Sequence, residues 1–420
     1  MTWSLDQFTS KDVVFVGAGK GRALEGIREF LTRHASLASF TAVDKQAGEK
    51  PLDFLLAYDT AKTVFIKNEG IPGREMPVPY ITPMQIFFEL ARANNLTLVG
   101  ITGTKGKSTT TSLTAHILQA AGKPAVLAGN IGVSPFKALD EATPETVFVL
   151  ELSSYQLSDL KISPHISACI NLYNDHSDWH GSIDQYWEDK HNIMRFAAAD
   201  DVFIYNPAFP ALQEWVNGAV CRTIPINPQD PLSLEGAQLF GEHNRLNALV
   251  AREIARQFDV DDSVIVEAIK SYQPLSHRME IVATVHGRTY VDDAIGMTPE
   301  STMASLTAIR ENIGPIGCLL LGGQDRNYDF SALMEQVAAD KIPHLVLFPE
   351  TTDKMKAALP SNYQPQIFET TSMEEAVSFA ARHSPDGSVV LLSTAAPSYL
   401  LWKDFEDKGD QFKAAVNSLA

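Results

Sequence analysis

Gly103, Gly106, Lys107 and Ser108 fall within GITGTKGKSTTTS (100–112). Glycines at this spacing let backbone N–H groups converge on phosphate oxygens. A lysine directly after them can bridge outer phosphates, and the next hydroxyl can reach a divalent cation. Thr104, Lys105 and Thr109 complete the loop. The strict P-loop spacing asks for a glycine where Ile101 stands, so the pattern is missed by one position. The bland alternative is a glycine-rich turn with a solvated lysine. An apolar stretch before the loop (LTLVG, 96–100) and a helix-like one after it (LTAHILQAAG, 113–122) favour the phosphate cradle.

Other candidates surround this loop in the chain. Glu151 ends the apolar run TVFVLE; carboxylates at the carboxyl ends of such strands commonly hold a metal, and an isolated buried one is costly. His176, in NDHSDWH, follows the run ISACINLYN and is expected on the same edge, although a lone histidine is as often a packing residue. Lys190, in YWEDK, reads on spacing alone as a surface lysine on a helix. A second glycine cluster, Gly17, Gly19 and Gly21 with Lys20 between, also follows a strand. It misses GxGxxG because Arg22 takes the last place. Asp44 ends the next strand, where a nucleoside hydroxyl or base can be read; a structural turn is an equal alternative. Asn244 and Asn247 share a helix face at i, i+3, where amides can read adenine or ribose.

The elements that must position these residues alternate. DVVFVGAGKGRALEGIREFLTRH (12–34) is strand, turn and helix. SFTAVD (39–44) and TVFIK (63–67) are strands, and TPMQIFFELARANN (82–95) is an amphipathic helix with Thr82 as cap and Pro83 at its first position. Then PAVLAG, TVFVLELSS, ISACINLYN and DVFIYNP read as short buried strands, followed by the helix GEHNRLNALVAREIARQF (241–258). GRTYVDDA, GCLLLGG, HLVLFPE and SVVLLSTA repeat the alternation after a boundary near 274. The expectation is an α/β chain with mainly parallel sheets in three domains, 1–93, 94–274 and 275–420.

The 420 residues carry 51 acidic and 34 basic side chains, a formal net charge of −17. That argues against a general nucleic-acid binder. An anionic substrate then needs locally placed cations. Cys169, Cys221 and Cys318 are far apart and form no disulfide framework or metal pattern. No signal peptide is evident, and no apolar run approaches the roughly 20 residues that span a bilayer. A cytoplasmic protein without membrane insertion is expected.

Taken in order, TGTKGKST, GNIG (129–132), ELSSYQL (151–157), NDHSDWHGSIDQYWEDK (174–190), GEHNRLN (241–247), HRME (277–280), VDDA (291–294), LLGGQDR (320–326) and LLSTAAPSYLLWKDFEDKGDQF (391–412) resemble the Mur ligase family. The resemblance spans nearly the whole chain. It implies a Rossmann-like first domain for a UDP substrate, a P-loop ATPase-like central domain and a Rossmann-like third domain for an amino acid. ELSSYQL and the C-terminal segment are most similar to the branch that joins glutamate to UDP-N-acetylmuramoyl-L-alanine. The implied chemistry is ATP-driven formation of an acyl phosphate, then attack by an amine, with ATP and Mg²⁺ required and a monomer expected. Ser108, Glu151, His176 and Lys190 as a carbamate would be metal ligands. Asn130 would lie near the phosphates, and Arg278 and Asp293 would close over ATP. Gly17 to Leu24 and Asp44 match the UDP-binding turn and its acid. Arg326, Ser398 and Phe405 would meet glutamate.

After Asp293 the sequence departs from the D-glutamate pattern Asp-Ser-Lys-Ala-Thr-Asn. Ile295 and Met297 stand where lysine and threonine are usual. DDAIGMTPEST is closer to a less common branch that adds L-glutamate. Both isomers therefore stay open. A P-loop kinase or ATPase without ligation would explain the loop but not the segments before 94 and after 274.

Overall fold

In the computed structural model, residues 3–17, 22–239 and 241–419 are described. Their first three strands, β1 (Asp12–Val16), β2 (Ser39–Val43) and β3 (Thr63–Lys67), pair in parallel in the order β2-β1-β3. β1 reads DVVFV with its last four residues buried. A strand covered on both faces has no use for polar alternation.

Six more strands, β4 (Thr97–Thr102), β5 (Ala125–Gly129), β6 (Val147–Glu151), β7 (Ile166–Cys169), β8 (Val202–Tyr205) and β9 (Arg222–Pro225), form an all-parallel sheet ordered β5-β6-β4-β7-β8-β9. β4 feeds its helix toward β5 on one side, whereas β6 connects across it to β7 on the other. The carboxyl ends of β4, β6 and β7 thus meet at a switch point of the topology, where open α/β sheets bind ligands.

The last six strands are β10 (Glu280–Val285), β11 (Arg288–Asp292), β12 (Ile316–Gly323), β13 (His344–Glu350), β14 (Gln366–Glu369) and β15 (Val389–Leu392). Their order is β10-β11-β15-β12-β13-β14, parallel except for the β10–β11 hairpin. The expected α/β class with mainly parallel sheets is what the chain adopts.

The chain divides into two compact units: Met1–Gly236 with His243–Tyr272, and Ala237–Glu242 with Gln273–Ala420. The first two sheets share the first unit. An aromatic cluster explains why. Phe30 from helix Arg22–His34 meets Phe136 from helix Pro135–Asp140 at 5.4 Å between ring centroids, and Phe87 from helix Pro83–Ala93 meets Phe148 of β6 at 5.2 Å. All four rings are buried, and burying aromatics of this size dominates core energetics. Helix Pro83–Ala93 starts as its sequence demands: the Thr82 side chain accepts the Gln85 N–H at 3.2 Å, and Pro83 takes the first position. No described helix is long and apolar enough to cross a membrane.

Candidate functional site

The phosphate-type loop leaves β4 and enters helix Lys107–Ala120 directly. Gly106 has φ +81°, and a Cβ there would lie 2.4 Å from Asn247 Oδ1, so only glycine fits. The loop is held from β7. Asn171 Oδ1 accepts the N–H groups of Thr104 and Lys105, both at 2.9 Å, while its Nδ2 donates to the Lys105 carbonyl at 3.0 Å. Sequence reasoning missed Asn171, because an asparagine just past a strand reads as a turn former. Lys107 Nζ donates to the Thr104 carbonyl at 3.0 Å. Ser108 is buried, Thr109 half-buried and Lys105 exposed. The 14-residue helix aims its positive end at this loop.

Glu151 ends β6 beside the loop and is 2% exposed. Its Oε1 accepts from Asn130 Nδ2 at 2.8 Å. Its Oε2 is buried without a hydrogen-bond partner among the described residues. A bare buried carboxylate oxygen is a costly feature that a cation would neutralise.

Lys190 corrects the surface reading that spacing alone gave. It is 1% exposed, because Tyr186, Lys190 and Ile193 form the inward face of helix Ile183–Arg195. Nζ donates to the Gly103 carbonyl at 3.0 Å and to Thr102 Oγ1 at 3.3 Å. Burial, and then the neighbouring Lys107 charge, pull its amine down to about 7.

His176 lies beyond β7, at φ +48°, and caps the short helix Ser177–His180. Its Nδ1 is 3.0 Å from the Tyr155 hydroxyl. Burial pushes its pKa down, which favours the neutral ring that can donate a lone pair. Tyr155 also stacks on His180, and His180 in turn bonds Asp189 and Ser154 Oγ at 2.5 and 3.0 Å. These supporting contacts carried no signal in the sequence.

Asn130 and Tyr155 also line a cavity of about 350 Å³ with Asn68, Phe87, Ser153 and Gln156. It opens next to β3 of the first sheet. Gly17 follows β1 at φ +90°, where a Cβ would lie 2.8 Å from Ile71 Cδ1. Asp44 is exposed just past β2. Gly19, Lys20 and Gly21 lie outside the described residues. Asn247 is buried beneath Gly106 and donates to Asn244 Oδ1 at 3.1 Å.

In the second unit, β11, β15 and β12 bring another set of residues to one edge. Asp293, just past β11, accepts from Ser305 Oγ at 2.7 Å and Ser393 Oγ at 2.8 Å. Burial pushes its carboxyl up to about 6, opposed by those two donors. Ser398 is buried on the segment after β15. Phe405 opens helix Phe405–Asn417 and sets its ring edge-on to His277. Arg326, past β12, is exposed and donates to Gln324 Oε1 at 3.1 and 3.3 Å. Arg278, Ile295 and Met297 are half-buried. His277, Glu280 and Asp292 have the composition of a metal site. They are already paired, His277 with Asp292 at 2.7 Å and Glu280 with Lys413 at 2.6 Å.

Residues 101–233 match the Mur ligase middle domain, and residues 277–396 match the Mur ligase glutamate ligase domain. The chain is 30% identical over 405 residues to the UDP-N-acetylmuramoylalanine–D-glutamate ligase of Bacillus thuringiensis (strain Al Hakam), covering 90% of this chain and 87% of that one. It is 31% identical over 403 residues to the enzyme of that name from Ligilactobacillus salivarius (strain UCC118), covering 89% and 85%. Among solved structures, the MurF ligase of Thermotoga maritima in complex with ADP superposes with a TM-score of 0.64, at 16% identity, over 99% of this chain and 97% of that one. The MurC ligase of Thermotoga maritima also gives 0.64 at 16% identity, over 97% and 100%. These two likenesses concern the fold.

Proposed function

Because this chain belongs to the Mur ligase family, we propose that it joins glutamate to UDP-N-acetylmuramoyl-L-alanine in peptidoglycan precursor synthesis, driven by cleavage of ATP to ADP and phosphate. The structural observation that carries this reading is the convergence of Lys107, Glu151 and Lys190 on one sheet edge, around a loop whose backbone requires glycine.

A carboxylate is a poor acyl donor because oxide is a poor leaving group. The alanyl carboxylate oxygen attacks the γ-phosphorus, the bond to ADP breaks, and an acyl phosphate forms. The glutamate amine then attacks the acyl carbon. The tetrahedral intermediate collapses, phosphate leaves with the C–O electron pair, and the amine proton is lost. Residues 103–109 hold the triphosphate, with Lys107 neutralising charge on the transferring group. Asn247 supports the loop beneath Gly106, and Asn244 orients Asn247.

Ser108, Glu151, His176 and Lys190 would hold Mg²⁺. Their fit is supported by the bare Glu151 oxygen and the neutral His176 ring. When bound, the ion neutralises phosphate charge and orients the reacting oxygens. Lys190 contributes after carbamylation. An amine pulled down to about 7 is substantially neutral at neutral pH, so its lone pair can form the N–C bond with carbon dioxide and lose a proton. The product is a carboxylate on a long arm where a buried cation stood.

The first sheet takes the UDP moiety through Gly17, Gly19, Lys20, Gly21 and Asp44. The cavity beside Asn130 and Tyr155 takes the sugar and its peptide. The roles of Arg278 and Asp293 toward ATP stay those that the resemblance implies. Arg326, Ser398 and Phe405 receive glutamate, with arginine suited to bidentate carboxylate contact.

D-glutamate is the isomer in the names of the relatives. The L-isomer is the second reading, favoured by Ile295 and Met297, which offer no polar side chain at the end of β11. Purified protein given UDP-N-acetylmuramoyl-L-alanine, ATP, Mg²⁺ and one glutamate isomer should yield a product heavier by one glutamyl residue. A ratio of kcat/KM of about tenfold or more between isomers settles the stereochemistry. Reaction with another amino acid and with neither glutamate isomer would refute the reading.

A further inference from the structure

On the glutamate-ligase reading, Ser398 and Phe405 would meet the side-chain carboxylate of glutamate, and Lys408 lies directly behind the Ser398 hydroxyl. Lys408 sits one turn into helix Phe405–Asn417 and is 1% exposed. Its Nζ donates to Thr394 Oγ1 at 2.7 Å and to Ser398 Oγ at 3.3 Å. Among the described residues no carboxylate oxygen lies within 4.0 Å of it, the distance at which an ion pair forms. A buried ammonium without an adjacent counter-ion is costly. Burial pulls Lys408 down to about 8, with the charges of Asp292 and Asp293 opposing the shift. A side chain needed only to fill this space could be apolar.

The two hydroxyls differ in what they do with their own protons. Thr394 donates to the Ala396 carbonyl at 2.9 Å, a normal bond, whereas Ser398 reaches that carbonyl only at 3.4 Å. Ser398 Oγ lies 3.3 Å from the ammonium and 3.4 Å from that carbonyl, so its proton is held by no short bond and it faces a buried positive charge that is bonded closely only to Thr394. A hydroxyl left in this state can turn its proton to an arriving anionic oxygen, whose charge the ammonium behind it would balance. An amide in the same place would leave the buried charge uncompensated.

We propose that Lys408 is a positioning and specificity-determining residue of the amino-acid site, acting through Ser398 to make the site demand a side-chain carboxylate over an amide. This rests on the glutamate-ligase reading above. Full-length wild type, Lys408→Met, Lys408→Gln and Lys408→Arg are compared by phosphate release at saturating ATP and UDP-N-acetylmuramoyl-L-alanine, with glutamate and with glutamine.

Loss of the charge in Lys408→Met or Lys408→Gln should raise the glutamate KM by about tenfold or more, move kcat much less, and reduce the glutamate-to-glutamine ratio of kcat/KM by a similar factor. The KM for ATP should stay within about twofold, and Lys408→Arg should recover most of the discrimination. If Lys408→Met does not fold, as judged by a lost thermal transition, Lys408→Gln carries the test, since it keeps a hydrogen-bond donor. Equal losses on both amino acids, leaving the ratio unmoved, overturn the proposal and assign Lys408 to structure alone. Wild type that releases no phosphate with either glutamate isomer overturns the reading of the reaction, and the role of Lys408 with it.

Discussion

Lys190 Nζ lies 3.0 Å from the carbonyl oxygen of Gly103, so the buried amine is fastened to the loop proposed to hold ATP. A cation in this position is poorly matched to its surroundings, since burial and then the Lys107 charge depress it. A carbamate would reverse that relationship. Lys190→Ala is therefore expected to lose nearly all ligation while keeping its thermal transition. Added short carboxylates, acetate or formate, should restore part of the rate by occupying the vacated arm. Full activity of Lys190→Ala without any additive would contradict the role.

Lys107 tests the ATP site separately. Its side chain folds over the loop onto the Thr104 carbonyl. Lys107→Ala should lower kcat by about 10²–10³ or more, the usual size of one lost transition-state donor. Near-wild-type turnover would mean that the triphosphate binds elsewhere.

Asn171 makes three hydrogen bonds to the backbone of Thr104 and Lys105. Asn171→Ala removes the side-chain partner of Lys105, at about 1–3 kcal/mol, and leaves the Thr104 N–H only its 3.1 Å bond to the backbone carbonyl of residue 171. The expected readout is a raised KM for ATP with a smaller change in the KM for glutamate. Unchanged ATP affinity by calorimetry would show that the loop holds its shape without this clamp.

Asp293 predicts a pH signature in stability. Its folded carboxyl is pushed up to about 6 from an ordinary 3.8. The folded state therefore binds the proton more tightly, and this group's contribution is fully present below about 3.8 and lost as pH rises through about 6. In Asp293→Asn that loss disappears. The melting temperature of the variant relative to wild type should climb between about pH 4 and pH 7 and then level off. A difference that stays flat across this range contradicts the assignment.

The parts legible in the sequence were those fixed by backbone requirements. Gly106 is such a case, since its conformation and the Asn247 amide both exclude a side chain. The buried parallel strands were likewise readable, because β1, β6 and β7 are runs of apolar residues. β9 and β14 escaped notice. Each has only four residues and partly exposed side chains, so neither carries an apolar run. Lys190 and Lys408 were hidden for another reason. YWEDK and FEDKGD read locally as solvated helix faces, and only the tertiary packing of those helices buries the two amines. Asn171 gave no signal for the same reason: its partners lie 66 and 67 residues away.

The central claim is that ATP activates the alanyl carboxylate before the amine arrives, and isotope transfer tests it most directly. UDP-N-acetylmuramoyl-L-alanine carrying ¹⁸O in both carboxylate oxygens is turned over with ATP, Mg²⁺ and the preferred glutamate isomer, and the released phosphate is weighed by mass spectrometry. The account predicts one ¹⁸O in each phosphate, with the second retained in the new amide carbonyl and no release when the UDP substrate is omitted. Phosphate released without label, at a rate indifferent to the UDP substrate and to glutamate, would instead reveal an ATPase and contradict the account.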